Sequence, residues 1–250
     1  MHKNLISVII PSYNASNYIK YTISSVLNQT YKYFEIIIVD DCSTDNTVEE
    51  IKKIIFSDKR IRFFQLKKNL GVSYCRNFAI SKAKGEYYCF LDSDDIWDKN
   101  KLELQLNFMK KNNYLFSFTS YRLIDFNNSI IKNKISVPKK INYNRLLKEN
   151  SIACLTVMIN RKLFKKDLFE NAHHEDYIAW LSILKEERYA YGLNTTLASY
   201  RKTKNSISAN KFKSSMWVWN IYRNIEGLSL FKSFYSFIHY SVRGFLKHYF

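Results

Sequence analysis

Two acidic clusters hold the side chains best suited to chemistry: Asp92-Ser93-Asp94-Asp95 and His174-Glu175-Asp176. The first directly follows the apolar run Tyr87-Tyr88-Cys89-Phe90-Leu91. The second directly precedes a helical pattern, Ile178, Leu181, Ile183 and Leu184. Closely spaced carboxylates at a strand end repel one another unless a cation sits among them. Hard oxygen ligands of this kind suit Mg²⁺ or Mn²⁺, usually shared with a phosphate group. A carboxylate remote in sequence can then serve as a general base. An isolated Asp-x-Asp is equally a solvated turn. Its position at a strand end, in a chain that alternates β and α patterns, sets this one apart.

Those patterns define the elements that must position the acids. Leu5 to Ile10, Phe34 to Val39, Ile61 to Leu66 and Tyr87 to Leu91 read as strands. Between them, Tyr18 to Leu27, Thr44 to Phe56 and Gly71 to Ala83 read as helices, and Lys99 to Lys110 follows as a fourth. Apolar strands separated by helices imply parallel crossovers and a doubly wound α/β sheet, mostly parallel. Ligands bind such sheets beyond the carboxyl ends of the strands. There this chain places Pro11-Ser12-Tyr13-Asn14, Asp40-Asp41, Asn69-Leu70-Gly71 and the Asp92 cluster. Further on, Phe116 to Ile124, Cys154 to Ile159 and part of Tyr189 to Tyr200 read as strands. Arg145 to Glu149, Leu163 to Phe169 and Glu175 to Lys185 read as helices.

A chain of 250 residues with 19 Tyr, 18 Phe, 5 Gly and 2 Pro can bury a full core and leaves no room for long low-complexity segments. Its net charge of +17 favours anionic partners. No compact RNA-binding signature accompanies that charge, so nucleic acid is not an expected partner. Cys42, Cys75, Cys89 and Cys154 form no C-x-x-C pair, which argues against zinc and for a reducing cytoplasm. The first apolar run is too short for a signal-peptide core.

A boundary is expected near Lys204, giving a domain at 1–204 and an extension at 205–250. Residues 201–250 carry nine Lys or Arg and one Glu, a net +8. In Phe231 to Phe250 the polar residues Lys232, Ser236, His239, Arg243 and Lys247 recur every three or four positions. Phe231, Phe234, Tyr235, Ile238, Val242, Phe245, Leu246 and Tyr249 occupy the other side. This amphipathic helix is too charged to span a bilayer and suits an anionic membrane surface. The alternative is a helix docked on the protein's own core.

Taken together, the motifs resemble the family-2 inverting glycosyltransferases of the GT-A fold. The resemblance rests on Ser7 to Asn14, Ser25 to Tyr31, Val39 to Asp45, Asn69 and Gly71 with Arg76-Asn77, Asp92 to Asp95, and Glu175-Asp176 with Trp180. Tyr200-Arg201, Asn205 to Ser208 and Trp219 are similar to bacterial transferases of teichuronic acid and lipopolysaccharide assembly. The resemblance implies a nucleotide-sugar half at about 1–112 and an acceptor half at about 113–204. It implies a UDP-sugar donor, a saccharide or lipid-linked acceptor, and a place on the inner face of the cytoplasmic membrane.

By the same resemblance Asp94 is the ligand of Mn²⁺ or Mg²⁺, Asp92 a donor contact, and Asp176 the general base with Glu175 as its competitor. Asp95 is expected only to cap a helix. Pro11, Tyr13, Asp40 and Asp41 form the expected nucleoside pocket, with both aspartates open as readers of the base. Asn69 and Gly71 complete the donor-binding set, and Arg76 is either a phosphate partner or a helix-surface ion pair. Where relatives often carry a late His this chain has Thr203, which leaves Arg201 or Lys202 to neutralise the diphosphate.

Two other readings compete. A nucleotidyltransferase would need a Gly- and Arg-rich phosphate loop, which Pro11 to Asn17 lacks. A non-catalytic, membrane-docked interaction protein of the same fold would be expected to have lost its acids. Asp41, Asp92, Asp94 and Asp176 are all present.

Overall fold

Apolar runs and helical patterns assemble around one mixed sheet. The computed structural model describes residues 2–56, 58–165, 167–202 and 211–249, without the side chains of 211–213 and 244–249. Thr203, Lys204, the Asn205 to Ser208 motif and Phe250 lie outside the described residues. The strands are β1 (His2–Ser12), β2 (Phe34–Asp40), β3 (Ile61–Gln65), β4 (Gly85–Phe90), β5 (Ile96–Trp97), β6 (Phe116–Ile124), β7 (Ile130–Ile135), β8 (Lys140–Ile141), β9 (Met158–Asn160) and β10 (Ala190–Arg201). The helices are α1 (Ile19–Leu27), α2 (Thr47–Ile55), α3 (Val72–Lys82), α4 (Lys101–Asn112), α5 (Tyr143–Leu146), α6 (Glu175–Glu186), α7 (Lys211–Asn220) and α8 (Leu230–Tyr249).

The sheet order is β3-β2-β1-β4-β9-β6-β10-β5, with β7 on β6 and β8 on β10. Ladders β3-β2, β2-β1, β1-β4 and β6-β10 are parallel, and β9 runs antiparallel to both of its neighbours. Every residue of β2 is buried, as a strand covered on both faces requires. Alternation assigns the faces. Ile6, Val8 and Ile10 of β1 pack with α1, α2 and α4. Ile9 and Phe90 pack on the opposite side with α3, α6 and α7. The result is a helix–sheet–helix sandwich whose strand ends lie level. Ser12 pairs with Asp40, Asp40 with Gln65, and Ile9 with Phe90 two residues before Asp92.

The second half departs from its sequence pattern. Cys154–Thr156 is a 3-10 turn, so only Met158–Asn160 pairs as a strand. Among the described residues of Leu163 to Phe169 there is no α-helix, and the 3-10 turn there is Arg161–Leu163. The short strands β5, β7 and β8 and the helix α7 carry too few alternating residues to announce themselves.

Candidate active site

The loop after β4 is held from below. The Thr22 hydroxyl of α1 lies 2.9 and 2.8 Å from the carbonyl oxygens of Ser93 and Asp95. Asp95 caps no helix, because β5 follows it. Its buried carboxylate accepts the backbone N–H of Arg201 at 2.8 Å. Arg201 likewise departs from expectation. Its guanidinium donates to the carbonyls of Asp94 (2.7 Å) and Asp125 (2.8 Å) and to Asn128 Oδ1 (2.8 Å), and lies 4.6 Å over the Tyr18 ring. Only 2 % exposed, it is a strut tying β10 and the β6–β7 turn to the acidic loop, with its charge turned inward.

Asp94 stands on that strut. Burial, then the neighbouring Asp92, pushes its carboxyl up to about 6. Among the described residues no cation pairs with the Asp94 carboxylate. A half-buried acid in this state fits a divalent ion that brings its remaining oxygens from phosphate and water. The described residues hold no cluster of three or more metal-binding side chains, so one carboxylate would be the protein's main share of such a site.

One buried cation joins the two acidic clusters. Arg76, on α3, is 3 % exposed. Its Nη2 donates to Asp92 Oδ1 at 2.6 Å, its Nη1 bonds Glu175 Oε1, and its guanidinium lies 5.3 Å over the Phe169 ring. It is therefore neither a free phosphate partner nor a helix-surface ion pair. Shared by two acids, it sets the start of α6 against the end of β4.

The bridge also sorts Glu175 from Asp176. Glu175 is tied to Arg76. Asp176 has no such pairing, and its Oδ1 accepts only the N–H of Tyr177, at 2.7 Å. Burial first, then the Glu175 charge, pushes the Asp176 carboxyl up to about 7, with Arg76 opposing. A carboxyl with that value is well suited to accept a proton near neutral pH. Trp180, one turn further along α6, is fully buried against Phe90, Phe116 and Phe169 at 5.6–5.8 Å between ring centroids. It braces the helix that carries Asp176.

Arg76→Met removes one cation from between two carboxylates. We expect a loss of about 2–3 kcal/mol, below the fully buried range because Asp92 is a third exposed. Arg76→Lys should recover only part of it, since an ammonium cannot fork to both acids. Denaturant midpoints measure both, and an unshifted midpoint in Arg76→Met would deny the bridge a structural role.

The remaining predicted donor residues gather at the same edge. Pro11 is buried at the end of β1, and Tyr13 is 49 % exposed. Asp40 accepts the N–H and hydroxyl of Ser43. Asp41 accepts Leu70 N–H at 2.7 Å and Gly71 N–H at 2.8 Å, so it fixes the Asn69 to Gly71 loop. Gly71 has φ +88°, a conformation that favours glycine, and it opens α3 toward Arg76. Asn69 is exposed on that loop.

One neighbour escaped the sequence reading. His173 stacks on Trp217 of α7 at 3.8 Å, and His174 Nε2 bonds Ser214 Oγ at 2.9 Å. The residues leading into Asp176 are thus clasped by a helix some 40 positions away. No local pattern could have revealed this, because neither Ser214 nor Trp217 sits in a motif.

The fold is an α/β sandwich with a cluster of acids at the carboxyl edge of its sheet, and comparison with known proteins gives its class. The glycosyl transferase family 2 profile matches residues 7–169. Over 240 residues the chain is 44 % identical to TuaG, a Bacillus subtilis glycosyltransferase assigned to teichuronic acid biosynthesis, covering 96 % of this chain and 95 % of that one. It is 43 % identical to WfgD of Escherichia coli, a UDP-Glc:α-D-GlcNAc-diphosphoundecaprenol β-1,3-glucosyltransferase, covering 99 % and 96 %. In fold it resembles the mannosyltransferase PcManGT of Pyrobaculum calidifontis, solved with GDP-Man and Mn²⁺. There the TM-score is 0.71 at 15 % identity, covering 92 % of this chain and 66 % of that one. The chain belongs to glycosyltransferase family 2, and it is a glycosyltransferase with the GT-A arrangement of sheet and helices.

Proposed function

We propose that this enzyme is inverting and metal-dependent, and moves a sugar from a UDP-sugar to a saccharide on a lipid-linked acceptor in bacterial surface-glycan assembly. The observation that carries the reading is the Arg76 bridge. It draws Asp92, next to the candidate metal ligand, and Glu175, next to the candidate base, onto a single guanidinium. Donor choice is supported by the UDP-glucose specificity named for WfgD, and so is a lipid diphosphate acceptor.

The donor's nucleoside lies at Pro11, Tyr13, Asp40 and Asp41. An exposed ring there offers a stacking face, and carboxylates can accept a base N–H. The loop at Asn69 and Gly71 closes one side of that pocket. Asp94, with Asp92 beside it, holds the ion. When bound, a divalent ion there offsets the charge that grows on the departing diphosphate. Asp176 takes the proton of the acceptor hydroxyl as its oxygen attacks the anomeric carbon from the face opposite the diphosphate. Glu175, held by Arg76, keeps a negative charge beside Asp176 and so raises its basicity.

The test is a panel of nucleotide sugars offered to the purified chain with Mn²⁺ and an N-acetylglucosaminyl lipid diphosphate. We expect UDP release with UDP-glucose, and a product whose new bond has the anomeric configuration opposite to the donor's. Retained configuration would remove Asp176 from the role of base. Release of glucose 1-phosphate in place of UDP would move the chain to nucleotidyl transfer.

A further inference from the structure

Helix α8 is built with its polarity reversed relative to a docked surface helix. Its inner face buries Ser233 and Ser236. Beside them Phe237 and Tyr240 pack on the core, Phe237 against Trp219 of α7 and Tyr240 against Tyr177 of α6. The opposite face carries Leu230, Phe231, Phe234, Tyr235, Ile238 and Val242, each 45–83 % exposed. At 100° per residue these six form one continuous ridge along three turns. The helix docks on the core, the alternative that the sequence offered, and still presents an apolar face to solvent. The polar stripe runs differently from its pattern, for Ser236 points inward. Lys232 and Arg243 line one flank, and Arg243 pairs with Glu149. Lys148 Nζ sits 4.6 Å over the Tyr235 ring.

We propose that this ridge seats the enzyme on an anionic lipid surface. A contiguous apolar patch of this size is rare on a protein that stays in water. Charge selects the occupant. A second copy would bring another +17 against this one, whereas an anionic bilayer offers the opposite sign to the chain and to Lys232 on the flank of the ridge. Among the described residues no helix is long and apolar enough to cross a membrane, so the ridge lies in the interface. The attachment has a mechanical consequence. The inner face of α8 holds α7, and α7 clasps His173 and His174 immediately before Asp176. A base carried on a surface-seated module would face acceptors presented by that surface.

The docking can be read without donor, metal or acceptor, so it fails or stands apart from the transferase reading. Full-length protein is sedimented with phosphatidylcholine vesicles, with and without phosphatidylglycerol. We expect binding to the phosphatidylglycerol vesicles that weakens as salt is raised. Phe234→Ser/Ile238→Ser should weaken it at least about tenfold, since two large apolar side chains leave the contact. Both positions face outward, so the thermal unfolding curve of the variant should match that of the parent. A parent chain that ignores anionic vesicles, or a variant that binds them as well as the parent, overturns the proposal. So does a dimer in light scattering that the same variant dissociates, which would give the ridge to a second copy.

Discussion

Asp176→Asn should bind the donor as the wild type does and transfer almost nothing. The amide keeps the shape of the carboxyl and can still accept the Tyr177 N–H. It cannot take a proton from an acceptor hydroxyl. An interaction made only in the transition state is lost, so turnover falls while donor affinity stays within a few fold. General base catalysis contributes about 10²–10⁴-fold, which sets the size of the drop. The wild type should show the same group by pH. Its carboxyl is pushed up to about 7, and the base acts only when ionised. Activity should therefore fall as pH decreases through about 7, and that acidic limb should vanish from the residual activity of Asp176→Asn. Unchanged turnover would move the role to Glu175, whose carboxylate would then have to leave Arg76.

The sheet was legible because burial on both faces writes itself as unbroken apolar runs. Ile36 to Val39 could be nothing else, and the polar residues that follow each run, acidic after the second and fourth, marked the carboxyl edge. Legibility failed where a residue acts across the chain. Arg76 sits in a helix whose own sequence says nothing of Glu175, 99 positions on. Arg201 looked like a cation free for a diphosphate because its partners, the carbonyls of Asp94 and Asp125, are backbone atoms and leave no trace in residue type. The Cys154 to Ile159 run broke at a 3-10 turn, and pairing begins only at Met158, opposite Cys89, once the backbone has turned. α8 shows a subtler failure. Its periodicity was correct, but periodicity cannot say which face meets the protein. Two serines fill the close approach beside Phe237 and Tyr240, and six other large apolar side chains were left outside.

Asp94→Ala separates the ion from the rest of the site. Without metal, burial and Asp92 raise the Asp94 carboxyl from the ordinary carboxylate range to about 6. The folded chain then holds this proton more tightly than the unfolded chain. The group's contribution to stability is therefore lost as pH rises from about 4 through about 6. At neutral pH the metal-free enzyme carries an ionised, half-buried acid whose burial and Asp92 neighbour outweigh the opposing charge of Arg201. Alanine removes that burden, so metal-free Asp94→Ala should unfold at a temperature no lower than the wild type. Mn²⁺ alone should raise the wild-type unfolding temperature at neutral pH and leave the variant unmoved, a readout that needs no activity. In transfer assays the variant should lose about 10²–10³-fold, the scale of one missing electrostatic contact to the departing charge, together with donor affinity. A variant that still answers Mn²⁺ with a stability gain would place the ion elsewhere. Wild-type transfer that survives exhaustive chelation would leave Arg76 and Arg201 as the only buried guanidinium groups beside the acidic loop among the described residues, and both are already held by protein oxygens.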